Sequence, residues 1–305
     1  MTAYDALLLV SFGGPEGPDE VMPFLENVTR GRNVPRARLE SVAEHYHLFG
    51  GVSPINRQCR ELKAAIEADL AGHGVELPVY WGNRNWEPYL ADTVRRMRDD
   101  GIRRAAAFVT SAYSGYSCSD QYVEDIERAR QEVDGAPLID KLPVYCLRPE
   151  FVEPLAESAR EALDQVPSGA HLVFTAHSVP LAQPGRADYV AELNQVAAAV
   201  RDRVAPDTPW ALVYQSRSGP PSQPWLEPDV RDHLEELHKA GVPGAAVVPI
   251  GFVSDHMEVK FDLDVEAAQR AAELGLPFAR AATPGTHPRF VTLPRRLLRA
   301  AQDAE

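Results

Sequence analysis

Tyr80-Trp81-Gly82-Asn83-Arg84 leads into Trp86-Glu87-Pro88, then a stretch of helical period, Gly101 and the apolar run Ala105-Ala106-Ala107-Phe108-Val109. Further along, Tyr214-Gln215-Ser216-Arg217 leads into Trp225-Leu226-Glu227-Pro228, a second helical stretch, Gly241 and Gly244-Ala245-Ala246-Val247-Val248. Trp86 to Gly101 spans 15 residues and Trp225 to Gly241 spans 16. Three stations recurring in one order point to an internal repeat.

The repeat extends upstream. Val10-Ser11-Phe12-Gly13-Gly14-Pro15 follows the pattern of Thr175-Ala176-His177-Ser178-Val179-Pro180: a strand end, a small residue, a ring, two short residues and a proline. Apolar runs at Leu7 to Val10, Val79 to Trp81, Ala105 to Thr110, His171 to Thr175, Ala211 to Tyr214 and Ala245 to Pro249 alternate with helical periods such as Leu90 to Met97 and Val230 to Lys239. This alternation predicts an α/β protein of two similar lobes, each a parallel sheet flanked by helices, with a cleft between. The expected division is residues 1–150 and 151–305, within or beside Pro143 to Pro154, with a last helix near Leu293 to Ala301 packing back on the first lobe.

At 305 residues the chain has room for two domains of ordinary size. Its 45% hydrophobic and 25% charged residues describe a globular protein. The net charge of −13 argues against nucleic acid as a partner. The first apolar segment lacks a basic leader, and no run reaches the roughly 18 residues that span a bilayer, so a cytoplasmic location is expected. Cys59, Cys118 and Cys146 are too few and too scattered for a disulfide framework or a closed zinc site.

Ligands of open parallel sheets bind beyond the carboxyl ends of the strands. The repeat pairs Phe12 with His177 and Tyr113 with Phe252 there. With Tyr116, these rings suit a large flat apolar ligand, although any one of them alone is more often core. His177 could serve as a base or a metal ligand, or could be a hydrogen-bonded core histidine. Glu258, Asp262 and Glu266, four residues apart, fall on one face of a helix and align slightly better on a π-type helix. Such a stripe suits a divalent cation, or is a solvated face.

At these residues the chain resembles the ferrochelatases, in particular the monofunctional type of Gram-positive and actinobacterial lineages. The resemblance rests on Phe174 to Pro180, Tyr214 to Gly219 with Trp225, and Gly251 to Glu266, with weaker support from Arg30-Gly31-Arg32 and Gly50 to Pro54. It implies insertion of ferrous iron into coproporphyrin III in haem biosynthesis, with His177 and Glu258 as the catalytic pair. It also implies Asp262 and Glu266 as further metal ligands, and porphyrin contacts at Ser53, Tyr122 and Tyr46. Phe12 lines the porphyrin site where many relatives carry a tyrosine that can ligate iron, and Asn85 stands where some carry a histidine. No cysteine follows Cys146, so an iron-sulfur cluster like that of several relatives is expected to be absent, and no cofactor is permanently bound. Iron and porphyrin enter as substrates, and the next haem-pathway enzyme is a transient partner.

The mechanism expected from these residues has a neutral His177 accepting pyrrole protons and Glu258 delivering iron or removing protons, fed by Asp262 and Glu266. Three alternatives remain at this stage. They are a ferrochelatase acting on protoporphyrin IX, a non-catalytic tetrapyrrole or haem carrier, and a chelatase for another metal.

Overall fold

The computed structural model describes residues 4–220 and 222–303. Backbone contacts divide the chain into two compact units. The first takes the chain up to Ser111, Asp120–Pro143 and the chain from Val291 onward; the second takes Ala112–Ser119 and Val144–Phe290.

The first unit holds β1 (Ala6–Ser11), β2 (Val79–Asn83), β3 (Arg104–Val109) and β4 (Leu138–Lys141) in one parallel sheet of order β2-β1-β3-β4. All six residues of β1 are buried, as a central parallel strand covered on both faces requires, which is why it reads as an unbroken apolar run. The helices are α1 (Val21–Val28), α2 (Arg36–His47), α3 (Ile55–Gly72), α4 (Leu90–Asp99) and α5 (Gln121–Gln131). Leu90, Val94 and Met97 of α4 and Tyr122, Ile126 and Ala129 of α5 share a core with Leu8 and Val10. Fully burying such side chains contributes about 1.5–3 kcal/mol each.

The second unit repeats the plan. β5 (His171–His177), β6 (Trp210–Gln215), β7 (Ala245–Val248) and β8 (Phe278–Arg280) form a parallel sheet of order β6-β5-β7-β8. Its helices are α6 (Pro149–Leu163), α7 (Arg186–Val204), α8 (Val230–Lys239), α9 (Met257–Phe261), α10 (Ala268–Leu274) and α11 (Pro288–Val291). A π-helical turn, Asp262–Ala267, joins α9 to α10. The last helix, α12 (Leu293–Asp303), belongs to the first unit, where it packs on α3, and Arg295 pairs with Asp69 at 2.7 Å.

The repeat seen in the sequence is structural. Each unit has a cis peptide at its glutamate-proline, Glu87-Pro88 and Glu227-Pro228. The proline carbonyl accepts the backbone N–H of a strand residue, Asn83 at 2.7 Å in one unit and Tyr214 at 2.9 Å in the other. Asn83 therefore occupies the place of Tyr214, three positions beyond the Tyr80 that matches it by residue type. Pairing with the neighbouring strand, rather than ring identity, sets the register. Both helices that follow end the same way, with Gly101 and Gly241 in left-handed conformation (φ +80° and +70°), where a side chain would be strained. The N–H groups of Ile102 and Val242 reach back to Met97 and Leu237 at 3.0 Å each.

The α/β class and the paired parallel sheets agree with the sequence reading, whose strand list lacks β4 and β8. Consequently β7, which precedes Glu258, is not the last strand of its sheet; β8 follows it at the edge. With four and three residues, and Asp140, Lys141 and Arg280 among them, these edge strands carry no apolar run to detect.

Candidate functional site

His177 closes β5, and its backbone is fixed from two sides. It pairs with Gln215 in the register of β5 and β6, the next residue's N–H donates to the Gln215 carbonyl at 2.8 Å, and its own carbonyl accepts the Tyr189 hydroxyl of α7 at 3.1 Å. The ring Nδ1–H donates to the Ser178 carbonyl, which directs Nε2 outward. Nε2 lies 3.6 Å from Glu258 Oε1.

Glu258 stands in the first turn of α9, and the capping residue of that helix is His256, whose Nδ1 accepts the Glu258 N–H at 3.1 Å. His256 Nε2 lies 3.9 Å from Glu258 Oε2, so the carboxylate sits between two imidazoles. The His256 ring meets Phe252 edge to face at 4.9 Å.

Burial opposes charge on His177, but the nearby Glu258 carboxylate and the Ser178 carbonyl outweigh it, and the imidazole is raised to about 9. Burial would likewise raise Glu258, yet His177 brings it down to about 2. The two side chains are 32% and 47% exposed, so water screens their attraction, and the pair rests as an imidazolium beside a carboxylate. His256 moves the other way, its burial favouring the neutral ring.

Asp262 begins the π-helical turn. Its Oδ2 accepts the Ser216 hydroxyl and, at 3.4 Å, the Gln215 amide, which also donates to the Glu258 carbonyl at 3.2 Å. Burial pushes Asp262 up, the Ser216 hydrogen bond holds it down, and the negative charges of Glu258 and Glu266 push again, leaving it at about 7. Ser216 makes its contact from a left-handed backbone (φ +61°), a strained conformation for a non-glycine residue that the site keeps in place. Glu266, a turn further on, pairs with Arg231 of α8 at 3.2 Å. Asp264 points elsewhere: with Asp255 it clasps Arg280, the contacts running from 2.7 to 3.3 Å, and this fork ties both sides of α9 to β8.

The structure thus brings His177, Glu258 and Asp262 to one end of the second sheet and leaves Glu266 at the outer end of the same helix. Among the described residues, no three His, Cys, Asp or Glu side chains are grouped closely enough to hold one metal ion.

Phe12, Tyr46, Ser53 and Tyr122 lie in the first unit. Phe12, 37% exposed, follows β1 and meets Phe24 edge to face at 6.3 Å. Tyr46 packs on the same Phe24 at 5.9 Å. Arg84 lies over Phe12 at 5.9 Å and over Tyr122 at 4.4 Å, while its guanidinium and Asp125 form a buried pair. Tyr122 and Ser53 are themselves buried, 5% and 4% exposed. Tyr113, placed by the sequence reading at a ligand wall, is instead core of the second unit: it is 1% exposed, packs on Phe151 and Tyr189, and donates to the Ile250 carbonyl at 2.8 Å.

Sequence reasoning passed over His256, Gln215 and Ser216. His256 precedes Glu258 by two residues, a spacing that on a regular helix points away from it; only the cap turns the ring back. Gln215 and Ser216 lay within a recurring motif, which was a signal of importance but not of role.

Two similar parallel sheets flanked by helices are the fold of solved chelatases. The chain superposes on SirB from Bacillus subtilis with Fe3+ with a TM-score of 0.58, covering 98% of this chain and 94% of that one at 14% identity. For CbiX, the terminal enzyme for biosynthesis of siroheme in denitrifying bacteria, the TM-score is 0.54, with 98% and 99% covered at 14% identity. At the level of sequence the match is more specific. The Ferrochelatase family profile matches residues 4–301, and the chain belongs to the ferrochelatase family. It is 56% identical to the coproporphyrin III ferrochelatase of Mycolicibacterium smegmatis, over 95% of this chain and 88% of that one. It is 52% identical to the coproporphyrin III ferrochelatase of Streptomyces coelicolor, with 97% and 84% covered. The ferrochelatase of Rhodopirellula baltica is also 52% identical, with 95% and 84% covered.

Proposed function

We propose that this ferrochelatase inserts ferrous iron into coproporphyrin III, with His177 and Glu258 acting on the reacting atoms. The observation that carries the assignment of roles is the approach of His177 Nε2 to Glu258 Oε1 at 3.6 Å, from two separate elements of one sheet end. The names of the actinobacterial relatives, each above half identical over most of its length, support the choice of porphyrin.

Insertion requires loss of two pyrrole protons and exchange of iron-bound water for ring nitrogens. Glu258 offers hard oxygen donors to the arriving ion and His177 an imidazole nitrogen. The pair by itself favours the imidazolium rather than the neutral ring expected from sequence. A dication at Glu258 cancels the charge that holds that proton, so arrival of iron and the appearance of a free base coincide. Asp262 and Glu266 extend the carboxylate run outward from Glu258. Ser53, Tyr122, Tyr46 and Phe12 contact the porphyrin in this reading, with Phe12 offering a ring face in place of a metal ligand. No cofactor is permanently bound, and the enzyme works in the cytoplasm. Among the described residues no helix is long and apolar enough to cross a membrane.

The test is anaerobic incubation with ferrous iron and either coproporphyrin III or protoporphyrin IX, following the loss of free-base absorption. Coproporphyrin III should turn over faster, and preference for protoporphyrin IX would overturn the substrate assignment. His177→Ala should lower turnover at least about a hundredfold, the scale of a lost general base, while porphyrin still binds. Full turnover in that variant would remove His177 from the chemistry.

A further inference from the structure

The carboxylates of the run from Asp255 to Glu266 differ in what neutralises them. Asp255 and Asp264 are locked on Arg280, whose side chain is only 14% exposed, and Asp264 also binds Lys260. Glu258 faces imidazoles, and Asp262 is held by the neutral Ser216 and Gln215. Glu266 alone in this set meets a permanent cation at an open surface: Arg231 Nη1 lies 3.2 Å from its Oε1, with the two side chains 46% and 36% exposed.

Arg231 is positioned for this by its own helix. Asp229, which caps α8, accepts both the Arg231 backbone N–H at 2.9 Å and its Nε at 3.0 Å. The cap holds the base of the guanidinium and leaves Nη1 to lie on Glu266.

We propose that Arg231 is a resident counter-cation on Glu266 that arriving ferrous iron displaces, so that it sets the iron concentration at which the carboxylate run begins to fill. This rests on the reading of Glu266 as the outer carboxylate of that run. A half-exposed ion pair is weak and yields readily, and a dication at the same distance attracts Glu266 twice as strongly as a guanidinium. A monovalent ion has no such advantage, so the pair discriminates by charge. The buried forks on Arg280 cannot exchange in this way.

The experiment is anaerobic calorimetric titration of ferrous iron into the porphyrin-free protein, with KM for iron measured in parallel. The proteins are wild type, Arg231→Gln, Glu266→Gln and the double variant. Arg231→Gln should tighten iron binding by about two- to fivefold, the worth of an exposed pair, and lower KM for iron without changing KM for porphyrin. Most of that gain should vanish in the Glu266→Gln background. If Glu266→Gln weakens binding but Arg231→Gln does not tighten it, the displacement is wrong while the outer-carboxylate reading stands. An equal gain in both backgrounds means a diffuse field effect and also overturns the displacement. If Glu266→Gln leaves iron binding unchanged, the outer-carboxylate reading itself falls, and the displacement with it.

Discussion

Tyr80 is buried in β2 with its hydroxyl donating to Asp100 at 2.7 Å. Burial, that hydrogen bond and the aspartate charge all disfavour the phenolate, raising the group to about 12. The folded chain therefore holds the proton more tightly than the unfolded chain does. The stabilisation is complete below the unfolded value near 10 and is lost as pH rises from there through about 12. Melting curves across that window should show wild type losing stability more steeply than Tyr80→Phe; equal slopes would remove Tyr80 as the cause. At this scale the approach of His177 to Glu258 was legible because the imidazole ends one strand and the carboxylate opens the helix that follows another. The supporting groups were not, because Ser216 acts through a left-handed backbone and His256 through a helix cap, and neither leaves a periodic trace.

The junction between β7 and α9 depends on Gly251. Its N–H donates to the Thr175 carbonyl at 3.1 Å, and a Cβ built there would lie 2.7 Å from both Cα and Cβ of Ala176, the residue before His177. Backbone cannot retreat as a flexible side chain would, so Gly251→Ala should force β5 and the loop apart. We expect a loss of about 1–3 kcal/mol in denaturant unfolding, with turnover falling more than stability alone explains, because the displaced strand carries His177. Unchanged activity at reduced stability would show that the strand end tolerates the shift. Elements with long apolar or periodic runs, such as β1, β5, α4 and α8, could be read directly. The edge strands β4 and β8 could not: their few residues gain their conformation from pairing with β3 and β7, not from local pattern.

Across the whole molecule, each unit draws on distant parts of the chain. Leu293, Leu297 and Leu298 of α12 are buried in the first unit although they close the sequence. Leu297→Ala should cost that unit about 2–5 kcal/mol. Trp81 and Trp86 report on it, and Trp210 and Trp225 on the second unit. In a Trp210→Phe/Trp225→Phe background, Leu297→Ala should lower the midpoint of tryptophan emission by more than in the converse background; the reverse order would detach α12 from the first unit. The doubling of the fold was legible because its marks, a tryptophan, a proline and a glycine, sit at turns whose geometry admits few residues. Membership of Ala112–Ser119 in the second unit was not, since it arises from Tyr113 packing on α6 and α7.

Arg84 and Gln215 each follow the strand residue that bonds its unit's cis-proline carbonyl, and each reaches an aspartate on the helix after the third strand, Asp125 or Asp262. In one copy of the duplicated scaffold the acid meets a guanidinium; in the other it meets an uncharged amide and a hydroxyl. A single side chain at a shared station thus breaks the symmetry of the duplication, an ion pair in one half standing where the other has a neutral hydrogen bond.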